Sequence, residues 1–163
     1  SLIRELLEAG DPMLIYADER AYLLKPPLVV WSGALVSKLF GLSNFSVTFI
    51  SRLAGVGVVL LPYALLRRWW GHADAWIAAF AVLTNSTFVQ FTATLRMDSL
   101  MTFGFMLSLV GWAYGDRYWS WAAIFGGISL AVLSKGPLGF IAIPLILTHA
   151  AFARRSPIEL RMW

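Results

Sequence analysis

Long apolar runs that carry almost no charge limit the possible folds of this chain more than any other feature. Between residues 47 and 152, these runs are interrupted only by brief polar links. Charged residues make up 13% of the sequence, whereas a typical soluble domain has about a quarter. A chain of this composition cannot cover its surface with polar groups, so we infer that lipid is its solvent.

In lipid, the backbone must satisfy its own hydrogen bonds within helices or a closed barrel. The apolar runs lack the strict two-residue alternation of barrel strands, so helices are expected. The predicted fold class is therefore all-α: a polytopic integral membrane bundle with about five transmembrane helices plus interfacial helices. The predicted spans cover residues 47–66, 75–95, 99–114, 119–134 and 138–152.

The chain divides into two predicted regions. Residues 1–43 are expected to form an extracytoplasmic loop with interfacial helices, and residues 44–163 the transmembrane bundle. The run that follows Lys25-Pro26-Pro27 is too short for the ~20 apolar residues that a span needs, so we expect an interfacial helix there. Residues 1–25 do not resemble a signal peptide, and both ends of the sequence suggest a fragment of a longer protein.

Basic residues orient the predicted bundle. Successive antiparallel crossings place alternate links on the same side of the membrane. The doublets at residues 67–68 and 154–155 flank apolar runs and are assigned to the cytoplasm. Such edge positions are typical of membrane proteins, so the net charge of +4 does not indicate nucleic acid as a partner. The opposite, extracytoplasmic side receives Lys25, Arg52, Arg96, Asp98 and Lys135.

Three cations and one carboxylate at the outer edge of the bilayer predict a pocket for a phosphate at the level of the lipid headgroups. The last two predicted spans are short, about 24 Å of helix against a hydrocarbon core of ~30 Å. Lys135, which joins them, should therefore lie slightly below the surface, where a lysine must snorkel or find an anion. The sequence has no cysteine and two isolated histidines, so no metal site is predicted.

Each of these residues also has a structural explanation. Lys135 would compensate the dipole at a helix C-terminus, and Asp98 would suit the N-cap of the third span. Arg96 could snorkel, and Lys25-Pro26-Pro27 could be a rigid elbow. The functional interpretation therefore depends on whether these residues lie together, and so on the topology.

Several motifs, in this order, resemble those of the polyprenyl-phosphate-sugar glycosyltransferases of the GT-C fold. This group, glycosyltransferase family 39, includes the protein mannosyltransferases and the lipid A aminoarabinose transferase. The resemblance covers roughly residues 4–145. The residues that carry it are Arg4–Asp11, Ala21–Trp31, Leu39–Ser43, Arg52-Leu53, Leu95–Asp98 and Leu133–Pro137.

The resemblance implies a membrane glycosyltransferase, of which this chain is a fragment. A hexosyl, pentosyl or mannosyl group would pass, with inversion, from a polyprenyl phosphate to a lipid, glycan or protein acceptor. The expected location is the bacterial inner membrane, with the site facing the periplasm. The expected partners are the lipid-linked sugar, the bilayer and the acceptor, and no cofactor is expected.

Site residues follow from the same resemblance. Lys25 and Tyr22 would contact the lipid phosphate, and the Arg96/Asp98 motif would shape the cavity, with Asp98 as a candidate catalytic group. We add Lys135 on physical grounds, since a cation there would stabilise the departing phosphate. The family's catalytic Asp-Glu pair is expected a few residues before Ser1. Leu24 stands where many bacterial relatives have Glu.

Two other functions remain open. A transporter or flippase would bind a lipid phosphate in transit and is expected to have helices broken at mid-membrane. The sequence shows no strongly interrupted span. A structural membrane subunit without a site would have Lys25, Arg96 and Lys135 pointing away from one another.

Overall fold

The computed structural model describes residues 2–9, 16–17, 20–21, 26–115 and 118–153. It is helical apart from one short antiparallel hairpin, in which Tyr16 pairs with Ala21 and Ala17 with Arg20. The elements are α1 (Leu2–Ala9), β1 (Tyr16–Ala17), β2 (Arg20–Ala21), α2 (Leu28–Phe40), α3 (Asn44–Leu66), α4 (His72–Leu83), α5 (Ser86–Thr92), α6 (Met97–Tyr114), α7 (Tyr118–Lys135), a 3-10 helix (Gly136–Ile141) and α8 (Ala142–Ala153).

Two helical stretches in the described part of the chain are long and apolar enough to cross a membrane. One is α3, with 23 residues, and the other is Tyr118–Phe152, which combines α7, the 3-10 helix and α8. Helix α3 begins where the Ser43 hydroxyl accepts a hydrogen bond from the Ser46 amide at 3.1 Å, a favourable N-cap. The expected helical architecture with membrane-capable helices is thus confirmed.

Helices α3 and α6 run in the same direction. At one end, the Tyr114 hydroxyl donates a hydrogen bond to the Ala64 carbonyl at 2.8 Å. At the other end, Leu100 packs in one buried cluster with Ala54 and Val29 of α2. The segment that joins them, residues 67–96, must therefore run back along the bundle from the end of α3 to the start of α6.

That return path is not one helix. Helix α4 ends at Leu83, and the Asn85 side chain caps a new helix, α5, by accepting a hydrogen bond from the Phe88 amide at 3.0 Å. Residues 75–95 thus do not form the continuous helix that their apolar run predicts. The physical reason is that the Asn85 cap satisfies an amide that would otherwise need a carbonyl one turn earlier.

Helices α6 and α7 pack so closely that their backbones touch. A Cβ atom built on Gly111 would lie 2.7 Å from the Ser120 carbonyl oxygen, and one built on Gly104 would lie 2.9 Å from the Ala131 amide nitrogen. The buried Ser108 hydroxyl lies 3.2 Å from the Ile124 carbonyl oxygen across the interface. Small residues at such contacts are the usual basis of helix association in membranes.

The chain reverses after Lys135. Gly136 has a φ of +72°, which favours glycine, and Gly139 packs directly on the backbone of α7 at Val132. The α-helix then begins at Ala142, four residues later than the predicted start at Leu138, because the tight return is made as a 3-10 helix. The remaining helix, α8, runs back beside α6, where the Trp112 indole donates to His149 at 3.3 Å.

Helices α1 and α2 cover one end of this bundle. Ile3 and Leu6 of α1 form a buried cluster with Val30 and Ala34 of α2, against which Val47 at the start of α3 packs. The same end holds the start of α6 and the end of α7, so it gathers the residues that the sequence singles out.

Candidate functional site

Asp98 and Lys135 lie at the same end of the bundle because α6 and α7 are antiparallel and joined by a short link. The Lys135 Nζ donates to the Asp98 Oδ1 in an ion pair, 37 residues apart along the chain. The N-cap position of α6 is occupied by Arg96, so Asp98 lies in the first helical turn and is not the predicted cap. Its carboxylate pairs with Lys135 instead.

Lys135 occupies the last turn of α7, as the dipole argument requires. Both side chains of the ion pair remain partly accessible, Lys135 at 36% and Asp98 at 32%. A pair at this exposure stays in contact with solvent, so its net energy is small and an incoming anion can compete for the lysine.

Arg96 stands just before α6 in an extended conformation. Its guanidinium lies over the Phe91 ring, with Cζ 4.3 Å from the ring centroid. Such a contact favours the cation without neutralising it. Within the described residues, Arg96 has no carboxylate partner, so its charge is available to an anion.

One open cavity of about 550 Å³ brings these groups together. Pro26 also lines it, and Pro26 Cγ lies 3.8 Å from where a Cβ of Gly136 would be. Pro26 and Gly136 therefore lie close together at this end, although 110 residues separate them along the chain. The complete lining is Pro26, Leu95, Arg96, Met97, Asp98, Lys135 and Leu138.

Of the predicted site residues, the structure brings Arg96, Asp98 and Lys135 into this one cavity. Tyr22 and Lys25 lie outside the described residues. A structural subunit without a site would have Arg96 and Lys135 pointing away from each other, whereas here both line the same cavity. The sequence did not predict the apolar part of the wall, which consists of Leu95, Met97 and Leu138, although each of these residues adjoins or lies within one of the motifs.

The cavity is suited to an anion with an apolar attachment. Arg96 and Lys135 exceed Asp98 by one positive charge, and the remaining lining is aliphatic or a proline. No group of three potential metal ligands occurs among the residues that the structure describes.

Comparison with known sequences decides the family. Residues 24–162 match the family described as dolichyl-phosphate-mannose-protein mannosyltransferase. The chain belongs to this family. The resemblance drawn from its motifs is thereby confirmed, and the matched range begins just before the lysine of Lys25-Pro26-Pro27.

Individual proteins are similar to most of this chain. An uncharacterized protein of Aquifex aeolicus is 33% identical, over 96% of this chain and 32% of its own length. The putative mannosyltransferase YycA of Bacillus subtilis is 30% identical, over 83% of this chain and 20% of its own length. An undecaprenyl phosphate-alpha-4-amino-4-deoxy-L-arabinose arabinosyl transferase of Shewanella sediminis is 23% identical, over 99% of this chain and 31% of its own length.

A solved structure has the same fold. The crystal structure of ArnT from Cupriavidus metallidurans bound to undecaprenyl phosphate matches 99% of this chain with a TM-score of 0.83 and 21% identity. The chain covers 31% of that protein. It thus spans a third or less of the length of these relatives and shares the helical arrangement of the matched part.

Proposed function

We propose that this chain is part of a membrane glycosyltransferase that transfers a sugar from a polyprenyl-phosphate donor to a lipid, glycan or protein acceptor. The observation that carries the proposal is the cavity in which Arg96, Asp98 and Lys135 meet beside Pro26. Membership of the mannosyltransferase family supports it, as do relatives named as transferases of undecaprenyl-phosphate-linked arabinose and a structural relative bound to undecaprenyl phosphate.

The cations of this cavity would hold the phosphate of the donor. Lys135 and Arg96 supply charge from two helix ends, and Lys25 and Tyr22 would approach from the segment just before Pro26. When the acceptor oxygen attacks the anomeric carbon, its proton would pass to a carboxylate of the Asp-Glu pair expected before Ser1. The bond to the phosphate oxygen breaks, and the lipid phosphate leaves with the electron pair. Preorganised cations lower the barrier because negative charge grows on that phosphate in the transition state. Asp98 would restrain Lys135 between turnovers.

The membrane arrangement belongs to the same proposal. Residues 44–163 would cross the bilayer about five times, in α3, the α4–α5 pair, α6, α7 and α8, and residues 1–43 would lie outside the cytoplasm. The cavity would then face the periplasm of a bacterial inner membrane. The alternating directions of the described helices support this arrangement, since each successive segment runs back along the bundle.

Binding of undecaprenyl phosphate to the full-length protein in nanodiscs tests the donor site. Lys135→Ala and Arg96→Ala should each weaken binding about tenfold, as expected for the loss of one charge-assisted contact worth about 1.5 kcal/mol. Lys25→Ala should do the same. Arg52→Ala is the matched control, since Arg52 lies over the Phe45 ring, 5.4 Å from its centroid, and does not line the cavity. Unchanged affinity in Lys135→Ala would contradict the proposed donor site.

One observation favours a transporter or flippase as a second candidate. The α4–α5 break at Thr84 and Asn85 interrupts a segment predicted to span the membrane, as expected for helices of secondary transporters. A reconstituted system separates the two functions. A transferase couples loss of the donor sugar to a modified acceptor, whereas a flippase moves the intact donor between leaflets without consuming it.

A further inference from the structure

Measured along the bundle axis, the break between α4 and α5 lies between the two ends of the bundle. Because α3 and α6 run in the same direction, residues 67–96 run back from the end of α3 to the start of α6. Helix α3 is long enough to cross a membrane. Asn85 precedes Arg96 by 11 residues, of which Ser86–Thr92 form a helix of about 10 Å. Even with the last four residues fully extended, the break lies within about 24 Å of Arg96, and so inside a hydrocarbon layer of ~30 Å once Arg96 is placed at its edge.

Helix α5 has two different faces at this depth. Thr92 and Phe88 pack against α3 at Gly55, where a built Cβ would lie 3.0 Å from Thr92 Cβ and 3.8 Å from Phe88 Cζ. At 100° per residue, Thr87 and Gln90 lie on the side turned away from α3. Both are exposed, and neither side chain has a hydrogen-bond partner within the described part of the chain.

Lipid chains offer that polar face no hydrogen-bond partners. Amide and hydroxyl groups transferred to hydrocarbon without hydrogen-bond partners lose their solvation and gain nothing in return. They therefore require water or polar groups at this depth. The structure supplies space for water, because an open recess of about 640 Å³ lies beside the break. Its lining is Ala81, Val82, Asn85, Thr87, Phe88 and Phe91, without any charged residue.

A contact between two side chains links the recess to the cavity that Arg96 and Lys135 line. Phe91 lines the recess, and its ring also supports the Arg96 guanidinium that lines the cavity. A volume of this size holds many water molecules at about 30 Å³ each. Asn85 and Thr87 offer them neutral donors and acceptors at the wall.

We propose that this recess is a hydrated compartment that extends the extracytoplasmic aqueous phase into the membrane layer and takes neutral, hydroxyl-bearing groups such as water. The break between α4 and α5 is what opens it. The proposal rests on the membrane crossing of α4–α5 put forward above and not on the donor chemistry. Its failure would therefore leave the phosphate site standing, and the reverse also holds.

Cysteine labelling tests the proposal directly, because the chain has no cysteine of its own. Thr87→Cys and Val89→Cys would be introduced into the full-length protein with any cysteines elsewhere replaced by serine. Val89 is the matched control: it is 48% exposed, lies about 160° around α5 from Thr87, and does not line the recess. Sealed right-side-out vesicles are then treated with a charged, membrane-impermeant methanethiosulfonate reagent.

Thr87→Cys should react at least about tenfold faster than Val89→Cys, because thiolate forms only where water reaches. Thr87→Cys that reacts only after denaturation would overturn the proposal, as would equal rates at the two positions. Folding is checked by the thermal midpoint of each variant. Ala81→Cys, at an exposed residue that also lines the recess, provides the same comparison with Val89→Cys should Thr87→Cys be unstable.

Discussion

Removing the Asp98 carboxylate should tighten phosphate binding, although it destroys an ion pair. Asp98 forms an ion pair with Lys135 and so cancels one of the positive charges that line the cavity. Asp98→Asn keeps the side-chain volume and frees the lysine for the ligand. The opposite change, Lys135→Gln, leaves a carboxylate facing the phosphate without a counter-charge.

The magnitude follows from the charges and their exposure. A unit charge about 6 Å from one negative charge of the phosphate contributes about 0.7 kcal/mol at a dielectric constant of 80 and about 2.8 kcal/mol at 20. Since Lys135 and Asp98 are 36% and 32% exposed, the lower part of this range applies. We expect about 1 kcal/mol, so Asp98→Asn should bind undecaprenyl phosphate about fivefold more tightly.

The assay is equilibrium binding to the full-length protein in nanodiscs at two salt concentrations. The gain in Asp98→Asn should shrink as salt rises, because exposed charges are screened. The double variant Asp98→Asn/Lys135→Gln measures the coupling between the two positions. Should Asp98→Asn weaken binding as much as Lys135→Gln does, Asp98 would serve to shape the cavity, and the electrostatic reasoning would be refuted.

Two further changes test how the bundle holds this pair. Gly127→Val should lower stability by about 1–3 kcal/mol, because its new atoms would meet the Ser108 amide nitrogen, 2.8 Å from a built Cβ. Gly126→Ala is the control, since a Cβ there meets nothing within 4 Å, and thermal unfolding of the full-length protein compares the two. Gly136→Ala should lower the free energy of unfolding by about 1 kcal/mol, because Gly136 has a φ of +72°. It should also weaken phosphate binding by shifting Lys135. A binding curve unchanged from the parent would contradict that coupling.

Much of this architecture could be predicted because apolar runs and their polar links are strong signals. Gly136 and Pro137 predict the turn after Lys135, and the basic doublet at residues 67–68 predicts the end of α3. The hairpin around Tyr16 could not be predicted, since strands of two residues show no periodicity. Asn85 is a favoured N-cap residue, but a single cap signal within a long apolar run is outweighed by the run itself.

Three residues of the candidate cavity, Arg96, Asp98 and Lys135, could be predicted from the sequence, whereas their contacts could not. Lys135 and Asp98 stand at the edges of apolar segments, so an antiparallel arrangement places them on one side. Which groups pair depends on the register of α6 against α7, and that is set by glycines whose packing partners are not visible in the sequence. Asp98 therefore seemed suited to a cap, whereas the register places it opposite a lysine.

The backbone contact between α6 and α7 couples the angle between the two helices to their separation at either end. Each has 18 residues, or about 27 Å of length. A change of about 5° in that angle, pivoting at Gly111 near the far end, would displace the opposite ends relative to each other by about 2 Å. That distance is enough to separate Lys135 from Asp98. Substitutions remote from the cavity can thus alter its shape, and under the proposed function a change of donor specificity would not require a change in any residue that lines it.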